Sequence, residues 1–147
     1  MQLLKSFFKE HEQDDIYFDH NDLKDFLDIG GLSYIKEIKA NEQSIVLKIK
    51  ELFDIESELY NLKSAKIAFI HISTRPDLPF EIAQSTIETI NECLGNKIDD
   101  VYIGTNTSQE QTSDTITCGI MLGGINKENS AKFYRKTLAF WLKLRYN

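Results

Sequence analysis

Lys66-Ile-Ala-Phe-Ile-His-Ile-Ser73 is an almost unbroken run of β-branched and aromatic residues, and the chain's two prolines, Pro76 and Pro79, follow it at once. A run of this length and composition reads as a buried strand, which the prolines end. Any fold for this chain must place that strand in its interior. His71, between Ile70 and Ile72, points to the opposite face from both and is expected on a half-exposed side. Pro79 suits the first turn of a helix, where its missing N–H has no intrahelical partner. Phe80, Ala83, Ile87, Ile90 and Leu94 follow at spacings of three and four, predicting one helical face that stops at Gly95.

The flanking segments supply partners for this unit. Leu32–Lys39 alternates well enough for a strand, although its Lys and Glu also tolerate a helix. Asn41 is a candidate N-cap for a helix whose apolar face is Ile45, Val46, Ile49, Leu52 and Phe53. Downstream, Asp100–Gly104 and Thr115–Leu122 read as strands, and the polar stretch Thr105–Asp114 between them has the composition of a hairpin tip, predicting an antiparallel pair. The order is short helix, strand, helix, strand, helix, strand, strand and helical tail, an α+β layer with a small sheet.

At 147 residues, with 41% hydrophobic and 27% charged residues, the chain fits one soluble globular domain. Its boundaries are expected at 1–125 for a core domain with a short N-terminal helical segment, and 126–147 for a basic tail. Cys93 and Cys118 show no metal-ligand spacing and read as core residues in a reducing compartment. Met1 to Glu12 shows no cleavage pattern or long apolar run, so the expected setting is cytoplasmic. Six Lys or Arg against Glu128 give residues 126–147 a charge of +5, leaving −11 on the first 125 residues for the net −6. An acidic body excludes nucleic acid as a partner, whereas the tail suits an acidic one.

Four blocks of the chain resemble the C-terminal domain of the FtsZ/tubulin family of filament-forming GTPases. Asp19-His-Asn-Asp22-Leu-Lys24, followed by Gly31 and Ala40, is similar to the family's N-x-D-F-A-D-V-K loop with its helix, glycine and strand. Ala65–Leu78 resembles the strand ending in a G-G-P-D-L turn, Asp99–Gly104 the D-A-N-I-I-F-G strand, and Thr115–Gly123 the closing R-V-T-V-I-A-T-G strand. Together the blocks run in family order over roughly residues 12 to 125. The resemblance implies a four-stranded mixed sheet packed by two helices, with a C-terminal amphipathic helix added to the family plan. Tyr17, His20, Asn21 and the Thr74-Arg75 pair depart from the pattern and mark a divergent member, read either as a fragment or as a stand-alone relative.

The resemblance also implies chemistry. Asp19 and Asp22 stand where the family's loop carboxylates face the GTP of the next subunit and help orient the attacking water, as phosphoryl transfer requires. The same letters equally support a helix cap. No G-G-G-T-G-[ST]-G phosphate loop occurs, and Gly30-Gly31 and Gly123-Gly124 are isolated pairs. GTP is therefore expected only through a missing domain or a partner, with itself or an FtsZ-type subunit as that partner. His11, His20, Asp19 and Asp22 lack metal-site spacing, and loop histidines are the simpler reading. Ser44, Ser57 and Ser73 lack a nucleophile motif. Arg75, after the strand, is either an anion ligand or a surface residue.

From Ser130 a helical projection gathers Phe133, Tyr134, Thr137, Leu138, Phe140, Trp141 and Leu144 on one arc, with Lys132, Lys136 and Lys143 opposite. Lys132, Phe133, Lys136, Phe140, Trp141 and Lys143 are the candidate contact residues. Such a helix can dock on its own domain, in a partner's groove or on an anionic membrane, placing the chain at the inner membrane's periphery. Three functions remain open: a filament-contact domain of a cytoskeletal or cell-division protein, a regulator of FtsZ-type filaments, and a small α+β enzyme with a site at a subunit interface.

Overall fold

The computed structural model describes residues 19–107 and 113–126. In order they form α1 (His20–Asp28), β1 (Leu32–Asn41), α2 (Ile45–Glu56), a 3₁₀ turn (Leu62–Ser64), β2 (Ile67–Thr74), α3 (Phe80–Cys93), β3 (Asp100–Thr107) and β4 (Thr115–Ile125). The sheet order is β1-β4-β2-β3, with β4 antiparallel to both β1 and β2 and β3 parallel to β2.

β2 lies in the sheet interior, and every residue but Ser73 is buried. Its Ala68, Ile70 and Ile72 meet Ile45, Ile49 and Phe53 of α2, Ile90 of α3 and Leu94 just beyond it in the larger core. Ile67 and Phe69 point the other way, toward Phe26 of α1 and Met121 of β4. Each fully buried Ile or Phe contributes about 1.5–3 kcal/mol by removal from water. The ion pairs Lys36–Glu56 and Lys39–Glu37 are both long, at 3.7 Å, with an exposed lysine and a partly covered carboxylate in each, and contribute about 1 kcal/mol or less apiece, so apolar burial decides the architecture.

Two helices, α2 and α3, pack side by side on one face of the mixed sheet, the expected α+β plan. The first closes its chain reversal differently from expectation. Asn41 does not cap α2; it ends β1, and its side-chain oxygen accepts from the backbone N–H groups of Gln43 and Ser44 at 3.1 and 2.8 Å, an Asx turn that aims the chain into the helix. In α3, Thr86 and Thr89 are buried because their hydroxyls donate to the carbonyls of Ile82 and Ser85, both at 2.7 Å. The helix ends at Cys93 and Gly95 takes φ +78°, as the sequence predicts.

Three other expectations are corrected. β3 and β4 do not pair as a hairpin: β4 enters between β1 and β2, and β3 reaches the outer side of β2 by the β2-α3-β3 crossover. Phe80 is 76% exposed, because it sits at the helix start, one turn short of where the apolar stripe meets the sheet. His71 is 5% exposed rather than half-exposed, since a central strand is covered on both faces. Its lateral neighbours on that face are Gly119 and Gly104, which leave room for the imidazole.

Gly123-Gly124 is the seat of α1. A Cβ on Gly123 would lie 2.8 Å from Ile67 Cγ2 and 2.9 Å from Phe26 Cε2. One on Gly124 would lie 2.7 Å from Ile29 Cγ2, and that residue also has φ +72°. Gly124→Ala combines a clash with left-handed strain, so a loss of about 2–4 kcal/mol is expected in urea unfolding of the whole chain.

The buried Cys118 thiol is pushed up to about 12 by desolvation. Between its unfolded value near 9 and that value, the unfolded state loses the proton and the folded state keeps it. Stability is therefore intact below about pH 8 and falls by up to ~1.4 kcal/mol per pH unit above about 9. Denaturant titrations at pH 8 and pH 10 should show this fall, and Cys118→Ala should make it shallower.

Candidate functional site

The two aspartates singled out by the sequence meet at the start of α1. Asp19 is the N-cap: its Oδ1 accepts from the N–H groups of Asn21 and Asp22 at 2.8 and 2.9 Å, while Asp22 Oδ2 accepts from the N–H of Asp19 at 2.9 Å. This reciprocal capping box satisfies helix N–H groups that have no intrahelical partner. Asp19 is exposed and Asp22 half-buried. One oxygen of each, Asp19 Oδ2 and Asp22 Oδ1, lies outside these capping bonds.

The helix is anchored so that this turn has a defined place. Phe26 is buried, with its ring 5.5 Å from that of Phe69, and Phe69 in turn meets Tyr102 edge-on at 4.9 Å. The Tyr102 phenol is pushed above its ordinary range, first by desolvation and then by the negative charges of Asp100, Asp25 and Asp22. The start of α1 and the start of β3 thus form one acidic surface, with the helix dipole favouring the carboxylates of the first turn. Sequence reasoning missed Asp25 and Asp100. The i, i+3 spacing of Asp22 and Asp25 could have shown the first; the second follows only from the sheet order.

Arg75, open between anion ligand and surface residue, is committed elsewhere. Its Nε donates to Glu42 Oε1 at 2.6 Å, tying the end of β2 to the β1–α2 turn. This charge-assisted bond raises the guanidinium's affinity for its proton further, with desolvation opposing and Glu42, Asp77 and Asp114 adding to it. Gly123-Gly124 is filled by Phe26 and Ile29, so that pair forms no phosphate cradle. Among the described residues, no group of three or more His, Cys, Asp or Glu is placed to hold a metal ion. No helix among them is long and apolar enough to cross a membrane. Lys132, Phe133, Lys136, Phe140, Trp141 and Lys143 lie outside the described residues.

No protein-family model matches the chain, and no curated protein matches it. Solved structures do. TubZ of Bacillus thuringiensis serovar israelensis, in GDP-form protofilaments, superposes with a TM-score of 0.62 at 16% identity over 92% of this chain and 38% of its own. FtsZ of M. jannaschii gives 0.62 at 17% over 87% of this chain and 39% of its own. CetZ2 of Haloferax volcanii, as a GTPγS-bound protofilament, gives 0.56 at 16% over 87% and 40%. The fold is that of the FtsZ/tubulin C-terminal domain. The chain spans about two fifths of the length of those structures.

The capping role has a direct test. Asp19→Ala removes two accepted bonds and should cost about 0.5–2 kcal/mol in chemical unfolding. Asp19→Asn keeps a good N-cap while removing the charge, and should stay within a few tenths of the parent.

Proposed function

We propose that this chain serves as the C-terminal domain of an FtsZ-like cytoskeletal protein, offering a longitudinal contact surface to a neighbouring subunit. The observation that carries the reading is the capping box of Asp19 and Asp22, seated on this fold at an accessible helix start. The box fixes both carboxylates without using all of their oxygens. Carboxylates held in this way can orient a water against a phosphate supplied from the facing subunit, since phosphoryl transfer depends on positioning more than on covalent help. Asp25 and Asp100 add to the negative field, so the incoming phosphate must arrive with its own counter-charge from the facing subunit. GTP then belongs to that partner, and this chain contributes half of a composite site.

The test uses an FtsZ- or TubZ-type GTPase from the same source, polymerised with GTP in the presence of the whole chain. Polymer mass by sedimentation and phosphate release should both change at stoichiometric addition. Asp19→Asn with Asp22→Asn should preserve the effect on polymer mass and reduce that on phosphate release, by roughly tenfold or more for a water-positioning group. Unchanged polymer mass and turnover on adding the parent chain would sink the reading; an unchanged turnover effect in the double variant would remove the carboxylates from it.

A further inference from the structure

The sheet has a second polar feature, on the side of β1 away from β4. Sheet order leaves β1 at an edge, with no strand paired to its outer side among the described residues. Beside its first half a cavity of about 340 Å³ opens between Ser33, Tyr34, Ile35 and Lys36 of β1, Glu56 at the end of α2 and Tyr60 in the turn beyond. Tyr34 is 9% exposed, and its Oη makes no hydrogen bond of ordinary length; desolvation, and then the Glu56 carboxylate beside it, push the phenol well above its ordinary range, and a water or ligand donor would complete the oxygen. The Tyr34 and Tyr60 rings stand 5.8 Å apart at 58°, making an aromatic corner. The Glu56 side chain is 15% exposed, and its ion-pair partner is the 46% exposed Lys36 amine at 3.7 Å, beyond hydrogen-bond distance. A carboxylate this enclosed gains from a better-fitted cation.

We propose that this notch receives the guanidinium of an arginine carried by an extended protein segment that pairs with the open edge of β1. The group's planar fork suits each wall: two N–H donors for the Glu56 carboxylate, a further donor for the Tyr34 Oη, and a flat face for the Tyr60 ring. An ammonium would answer Glu56 but would not fill the corner. Lys36, exposed and loosely held, can swing aside. The main-chain groups along β1 give an extended segment its register, and the cavity supplies specificity for one side chain in it, the usual division in strand addition. Lys36, Glu37 and Lys39 lie along β1 and discourage pairing by an uncharged apolar strand. The acidic body of the chain draws a basic partner toward it.

The experiment is an NMR titration of the isotope-labelled whole chain with an acetylated hexapeptide of alternating Thr and Val around one central Arg. Saturable shifts at Ser33–Lys36, Glu56 and Tyr60 are expected. Replacing the Arg by citrulline, its neutral isostere, or introducing Glu56→Gln, should weaken binding by on the order of tenfold. Lys36→Ala, which removes the resident cation and leaves the buried walls intact, should tighten it. Equal affinity for the citrulline peptide, indifference to Glu56→Gln in a protein that still folds, or weaker binding by Lys36→Ala would each overturn the proposal. N-acetyl-arginine methylamide should bind at least several-fold more weakly than the peptide; if it binds equally well, the site takes free guanidino compounds and the strand pairing is refuted.

Discussion

Burial of β2 on both faces sets the positions of everything else. A strand of Ile, Ala, Phe and Ile with neither side in water needs cover above and below, and strands on both of its edges. α2 and α3 provide the cover on the Ala68–Ile70–Ile72 side. On the Phe69 side, Phe26 is the anchor contributed by α1. Because Phe26 must reach Phe69 across the end of β4, the residue beneath it can carry no side chain, which is the physical reason for glycine at 123; at 124 the close neighbours are Ile29 and Lys66, and φ is +72°. Asp19 and Asp22 are then located by rigid attachment: they begin the helix that this contact holds. The candidate site therefore depends on an aromatic contact deep in the sheet rather than on any bond made at the surface.

Local patterns in the sequence carried the elements whose determinants are local. The β2 run, the α2 stripe ending at Phe53 and the α3 stop at Gly95 each depend on side chains within one element. Pairing of β3 with β4 was misread because strand order is a matter between elements. Their short polar connection suits a hairpin, yet β4 buries nearly every residue and so belongs between two other strands. A half-buried strand announces its faces by alternation; one buried on both sides does not. His71 was misplaced for the same reason, and Phe80 because a helical stripe does not say which of its ends overhangs the sheet.

The site was legible in part on the same terms. Asp19 and Asp22 are three residues apart, and the cap they form is written in that spacing. Arg75 and Glu42, 33 residues apart, meet only once β1 and β2 are folded, and Asp100 joins the acidic surface only because β3 takes the outer place beside β2. Likewise, Tyr34, Glu56 and Tyr60 come from a strand, a helix end and a turn, and no motif spans them.

The capping box also bears on how far the aspartates speak for function. A cap requires a hydrogen-bond acceptor, and Asn, Ser or Thr at position 19 would satisfy it about as well. Position 22 requires only an acceptor able to reach back one turn, which Glu or Gln supplies. Negative charge at both positions thus exceeds what capping needs, although the helix dipole offsets part of its cost at about 0.3–1 kcal/mol per carboxylate. Asp25 and Asp100 add negative charge on the same side of the domain, which the Tyr102 phenol between them feels. The charge at these two positions is thus left unexplained by the cap alone, and it is the feature on which the proposed composite site rests.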